Sequence, residues 1–177
     1  VPGADEALEQ SFTQTVSGWY NGHSHPNVMT IHDRGTDPRP WVAVERFLDG
    51  STLGSESELT TSEVVAVMTD GAEAIRNVGL YNANHGNITP DNVWIVEQDD
   101  GPLGIVGDWG LRRAVAEAQG ETHVTPYTAP EQLARGPSTT NDTTDVYGLG
   151  AVTYEGLTGE PPLPASEEEI LAGEVPP

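Results

Sequence analysis

Between Thr60 and Val106 the sequence admits few folds. Thr60, followed at the third residue by Glu63, makes a capping-box pattern, and Val64, Met68, Ala72, Ile75 and Val78 then recur at helical spacing. A helix with one apolar stripe must bury that stripe against something. After a polar segment from Asn84 to Asp91, the apolar runs Val93–Val96 and Leu103–Val106 flank Asp99, Asp100, Gly101 and Pro102, a turn cluster that predicts a hairpin. An amphipathic helix beside a short antiparallel hairpin is the start of an α+β domain.

The flanks extend this pattern. From Ala4 to Asn21, Leu8, Phe12, Val16 and Trp19 recur at helical spacing. Val28–His32 and Trp41–Phe47 read as two strands separated by Asp33, Gly35, Asp37, Pro38 and Pro40. Beyond the second hairpin an irregular stretch is expected to about Asn141. Val146, Leu149, Val152 and Leu157 then predict a buried helix that stops at Gly159, Pro161 and Pro162. Ser166 and the three following glutamates could start a last short helix.

Charge narrows the partners. Twenty-eight acidic residues face seven arginines and no lysine, giving a net charge of -21. Phosphate-backbone binding needs clustered cations, so nucleic acid and anionic membrane are poor partners. The acidity reads as a solvated coat suited to a salty, halophilic cytoplasm in preference to an acidic interaction surface. With no cysteine, disulfide staples and thiolate chemistry are excluded, and the expected compartment is cytoplasmic. The chain opens at Val1 with no signal-peptide pattern and reads as a fragment of about one domain.

Three short motifs recur in a meaningful order: His85-Gly86-Asn87-Ile88-Thr89-Pro90-Asp91-Asn92, then Asp108-Trp109-Gly110, then Ala129-Pro130-Glu131. His25-Pro26-Asn27-Val28, Trp41–Gly50 and Asp145-Val146-Tyr147-Gly148-Leu149-Gly150 flank them. Together they resemble the landmarks of the protein kinase family. The resemblance implies one partial kinase-like domain over 1–177. Residues 1–48 would form a remnant N-lobe and hinge, with an αC-like helix and two hinge-side strands. Residues 49–177 would form a mainly helical C-lobe, cut short after its αF-like helix.

Phosphoryl transfer needs cations on the moving group, a metal clamp and a carboxylate that orients the acceptor hydroxyl. By the resemblance, Asn87 occupies the place of that carboxylate, and an amide cannot take the proton. Thr89 stands for the catalytic-loop lysine, and Gly86 for the arginine that couples the loop to a phosphorylated activation segment. Thr13–Ser17 lacks the αC glutamate, and the Gly-rich loop and its lysine would precede Val1. Asn92 and Asp108 do match the magnesium-holding positions, oxygen donors suited to Mg with ATP. Glu45 and Phe47 match the adenine-binding hinge, and Trp94 either stacks under the base or fills its pocket.

The resemblance therefore implies a pseudokinase that regulates or scaffolds protein partners. The alternatives are an active ATP-dependent serine/threonine kinase completed by an N-terminal segment, and a decayed relic without function. Arg112 and Arg113 read as a surface pair, and His23 and His25 as turn residues. Asp145 reads as a brace for the catalytic loop, and Glu131 as a carboxylate without its usual arginine. Val124–Thr128 is one residue short of the peptide-contacting loop.

Overall fold

The chain was analysed as a computed structural model that describes residues 2–45, 50–55, 59–119, 124–136, 139–164 and 166–173. Pro2 sits at the start of α1 (Pro2–Gly22), where its missing N–H costs nothing, and the helix buries Phe12, Val16 and Trp19. The Trp19 indole N–H donates to the Met29 carbonyl at 2.8 Å, tying the helix to the chain leading into β1. β1 (Ile31–Gly35) and β2 (Trp41–Val44) pair antiparallel, with a register shift between Ile31 and Asp33. The first strand thus starts and ends three residues later than its sequence suggested. Arg46, Phe47, Leu48 and Asp49 of the expected hinge lie outside the described residues.

A second sheet is ordered β3 (Ser51–Thr52), β4 (Val93–Gln98), β5 (Gly101–Val106), all antiparallel. Its outer face carries α2 (Thr61–Gly79), whose capping box forms as expected: Thr60 Oγ1 accepts from the Glu63 N–H and the Glu63 carboxylate accepts from the Thr60 N–H. The buried face of α2 is Val64, Val67, Met68, Gly71, Ala74 and Val78, while Ala72 is exposed, one step off the expected stripe. Close approach explains the shift. A Cβ at Gly104 would lie 2.6 Å from the Val67 carbonyl, and Gly71 faces Leu149 of α5 (Asp142–Thr158).

Helix α5 departs from its apolar pattern. Thr144, Asp145, Gly148, Ala151 and Val152 are buried, whereas Val146 and Leu157 are 64% and 46% exposed. Small residues win the inner face because Gly148 meets Ile88 and Gly156 meets Val64. The stretch expected to be irregular contains two helices, α3 (Leu111–Gln119) and α4 (Pro130–Arg135), and the chain closes with α6 (Glu167–Ala172). Among the described residues no helix is long and apolar enough to cross a membrane.

Two apolar clusters result. One joins Phe12, Val16, Trp19, Val28, Met29 and Ile31 to Ala74, Val78, Ile105, Val106 and Trp109, so apolar contact runs across the 48/49 boundary. The other gathers Leu53, Val64, Met68, Ile88, Ile95 and Val152, and half-buried Ile75 touches both.

Candidate functional site

The loop from His85 to Asn92 is held from three sides. Gly86 adopts φ +70°, the left-handed turn that glycine accepts freely, and aims two successive N–H groups inward. Both meet Asp145 at the start of α5: His85 N donates to Oδ2 at 2.8 Å and Gly86 N to Oδ1 at 2.7 Å. Burial raises the Asp145 carboxyl to about 6, against the lowering effect of those hydrogen bonds. Asp145 therefore braces the loop, as its motif suggested. Gln132 on α4 adds a second brace, donating to the Gly86 carbonyl at 2.8 Å while its Oε1 accepts from the Ala129 N–H.

His85 is fully buried, and its two ring nitrogens have distinct partners. Nδ1 accepts from the Asn87 N–H at 3.2 Å, so Nε2 carries the proton and donates to the Gly107 carbonyl at 2.9 Å. Burial pushes its pKa down to about 4, which keeps the ring neutral near pH 7. Trp109 tilts against it at 5.1 Å between ring centroids and donates its indole N–H to the Val106 carbonyl. Trp109 packs in turn into the cluster that contains Phe12 and Val16 of α1, so one buried stack links the loop to the first helix.

Three residues singled out in the sequence meet here. Asn92 is buried, and its Nδ2 donates to the Asn87 carbonyl at 2.8 Å, which leaves its Oδ1 as the donor atom for a ligand. The Asn92 carbonyl accepts from Gly107 N at 2.9 Å, placing Asp108 next in the chain beside the loop. Asp108 has φ +57° and is partly buried; burial raises its carboxyl above the ordinary range, opposed by His85 when that ring is protonated and by the Arg112 charge. An amide oxygen and a carboxylate fit a hard cation such as Mg. Among the described residues no cluster of three His, Asp or Glu forms a metal site, so such a cation would need phosphate or water oxygens as further ligands.

The remaining candidates are placed as follows. Thr89 is half-buried and its carbonyl accepts from Asn92 N, within the turn that Pro90–Asn92 forms. Trp94 lies on β4 opposite Thr52 and Ile105, half-buried against the first cluster. Glu45 is exposed, and its N–H is committed to the Thr30 carbonyl at 2.9 Å. Phe47 lies outside the described residues. His25 Nδ1 accepts from Asn27 N and His23 stacks on Tyr20, in keeping with a turn role.

Glu131 accepts a hydrogen bond from Thr144 Oγ1 at 2.7 Å. One expectation needs correction. Arg112 and Arg113 are not a surface pair, since Arg113 is half-buried and its Nη2 donates to Thr15 Oγ1 on α1 at 3.2 Å. Sequence reading missed Gln132 and the Arg113–Thr15 contact; only the residue types, not their pairing, are visible in one chain. Tyr127 donates to Glu155, and burial together with that carboxylate raises its phenol pKa.

Comparisons with known proteins agree with this geometry. Serine/threonine-protein kinase Pkn1 of Myxococcus xanthus is 33% identical over 84% of this chain, and serine/threonine-protein kinase PknB of Mycobacterium tuberculosis is 32% identical over 79%. The chain spans only 22% and 24% of those two proteins. The crystal structure of the Mycobacterium tuberculosis PknI kinase domain superposes with a TM-score of 0.66 at 22% identity, covering 90% of this chain and 62% of that one, and so shares the fold. The profile of the protein kinase domain matches residues 9–175. Matched over nearly all of its length, the chain belongs to the protein kinase family.

Proposed function

We propose that this kinase-fold segment is a pseudokinase module that regulates or scaffolds a protein partner, and that any Mg-nucleotide binding is weak. One observation carries the reading: Asn87 stands where the resemblance requires the acceptor-orienting carboxylate, in a loop that otherwise keeps its braces. An amide at that position can hydrogen-bond a hydroxyl but cannot accept its proton. Thr89 likewise offers no cation to a moving phosphoryl group.

Asn92 Oδ1 and the Asp108 carboxylate would hold Mg, which when bound with ATP draws charge from the phosphates. The Asn92 amide is oriented for this by its bond to the Asn87 carbonyl, and Asp108 by the bond that its neighbour Gly107 donates to the Asn92 carbonyl. By the resemblance, the backbones of Glu45 and Phe47 would meet the adenine, with Trp94 either stacking under the base or filling its pocket. A cytoplasmic, salt-rich setting suits a cysteine-free chain of net charge -21.

A second reading, an active serine/threonine kinase, draws support from the retained Asn92 and Asp108 and from the names of the relatives. Incubating the protein with γ-labelled ATP and magnesium separates the two. The pseudokinase reading expects no phosphate incorporation above background. Transfer that disappears in D108A would establish the active reading. A thermal-shift titration with Mg-ATP in high salt tests the weak binding separately, since a ligand that binds only the folded state must raise Tm.

A further inference from the structure

With Gly86 in the catalytic loop, the resemblance leaves that loop without an arginine to reach a phosphorylated segment. The fold brings another guanidinium to the same place. Arg113, on the first turn of α3, passes so close to Gly86 that a Cβ on residue 86 would lie 2.8 Å from its Cδ. Its Nη2 lies 3.3 Å from where a Cβ on Gly110 would be, and it donates to Thr15 Oγ1 at 3.2 Å. Thr15 is almost wholly buried in α1, so this charge-assisted bond is shielded from water. A single side chain therefore touches the first helix, the catalytic loop and the turn after Asp108. Its charge also acts on His85 in the loop and on Asp145 of α5, holding both pKa values lower than they would otherwise be.

We propose that Arg113 is a positioning residue that latches α3 to α1 across Gly86, so that the segment after Asp108 is held by the chain's own guanidinium and needs no phosphate. Glycine at 86 leaves room for this path: a Cβ there would lie 2.8 Å from both Arg113 Cδ and Thr140 Cγ2. Thr15 serves as the acceptor on α1 where the resemblance expects a glutamate, and a neutral hydroxyl leaves the guanidinium charge directed at the loop. The latch concerns closure of the fold and stands whichever reading of the cleft holds.

Hydrogen exchange on the whole chain tests it. R113Q should speed exchange in α3 and around Thr15 by about tenfold or more, with α2, β4 and β5 unchanged. T15V, which keeps the shape and removes the acceptor, should move the same amides by less. The His85 ring should titrate at a higher pH in R113Q than in the wild type, and R113K should restore the lower value. A packing role alone would not produce that recovery. Phosphatase treatment of the wild type should change nothing. Unchanged α3 exchange in R113Q, acceleration spread evenly over all helices, R113K indistinguishable from R113Q, or faster α3 exchange after phosphatase would each overturn the latch.

Discussion

Replacing Asp145 by asparagine should change how stability depends on pH, with a sign that the buried loop dictates. The carboxyl titrates near 6 in the folded chain against 3.8 for the ordinary group, because burial disfavours its charge. A carboxyl whose folded pKa is raised binds its proton more tightly when folded, so its contribution to stability grows as pH falls from about 6 towards 4. At 1.36 kcal/mol per unit, the wild type should gain about 2–3 kcal/mol from this group between pH 7 and pH 4. His85 works in the opposite sense. Its folded pKa near 4 lies below the ordinary 6.5, so its contribution is lost over much the same window as the unfolded chain takes up the proton. In the wild type the two terms offset one another. D145N removes only the first, so the stability difference between wild type and variant should move by about 2–3 kcal/mol in favour of the wild type on going from pH 7 to pH 4. Urea unfolding of both proteins at fixed ionic strength measures this directly, and the other carboxylates cancel in the difference. Parallel curves for the two proteins would refute the placement of a charged Asp145 in a buried site.

Other consequences are simpler. G104A should cost about 1–3 kcal/mol in chemical denaturation, because its Cβ would press on the Val67 carbonyl and lift α2 from β5. On α5, V146T should change stability by less than about 0.5 kcal/mol while V152A costs about 2 kcal/mol, since the first side chain faces solvent and the second is buried. Thermal unfolding at 0.1 M and 3 M salt should show a higher Tm in the concentrated solution, through screening of the 28 acidic residues; equal values would remove the halophilic reading.

What could be read from the chain alone was local or motif-borne. The α2 capping box closes between Thr60 and Glu63, and the β4–β5 turn sits at Asp99–Asp100, so a few adjacent residues were enough. Asn87, Asn92 and Asp108 came together because their motifs carry the loop geometry with them. The failures share a tertiary cause. Val146 and Leu157 look like core residues, yet α5 turns its small residues inward to approach Ile88 and Val64. Leu111, Ala114, Val115 and Ala118 fall at helical spacing, but the stripe is only nine residues long and half alanine, so it is weak as a local signal; in the fold Ala114 is buried and Leu111 packs against the first cluster. Thr15 and Arg113 are 98 residues apart, and no local pattern pairs them.

Within the loop, the groups present divide by what they face. Asp145, Gln132, His85 and the Asn92 amide each bond to another part of this chain, and removing any one would leave a buried N–H or carbonyl without its partner. Asn87 and Thr89, where the resemblance requires charge, are neutral, and among the described residues neither side chain hydrogen-bonds a buried group. A neutral residue at such a position costs folding little, because the braces of the loop do not depend on it. The fold can therefore persist without the chemistry, held by a carboxylate whose desolvation is only partly offset by two backbone hydrogen bonds. On this view N87D should leave the braces in place and add only a carboxylate, so its far-ultraviolet circular dichroism should match the wild type. A collapse of the loop in N87D, seen as fast exchange at His85 and Gly86, would mean that the neutral amide is itself structural.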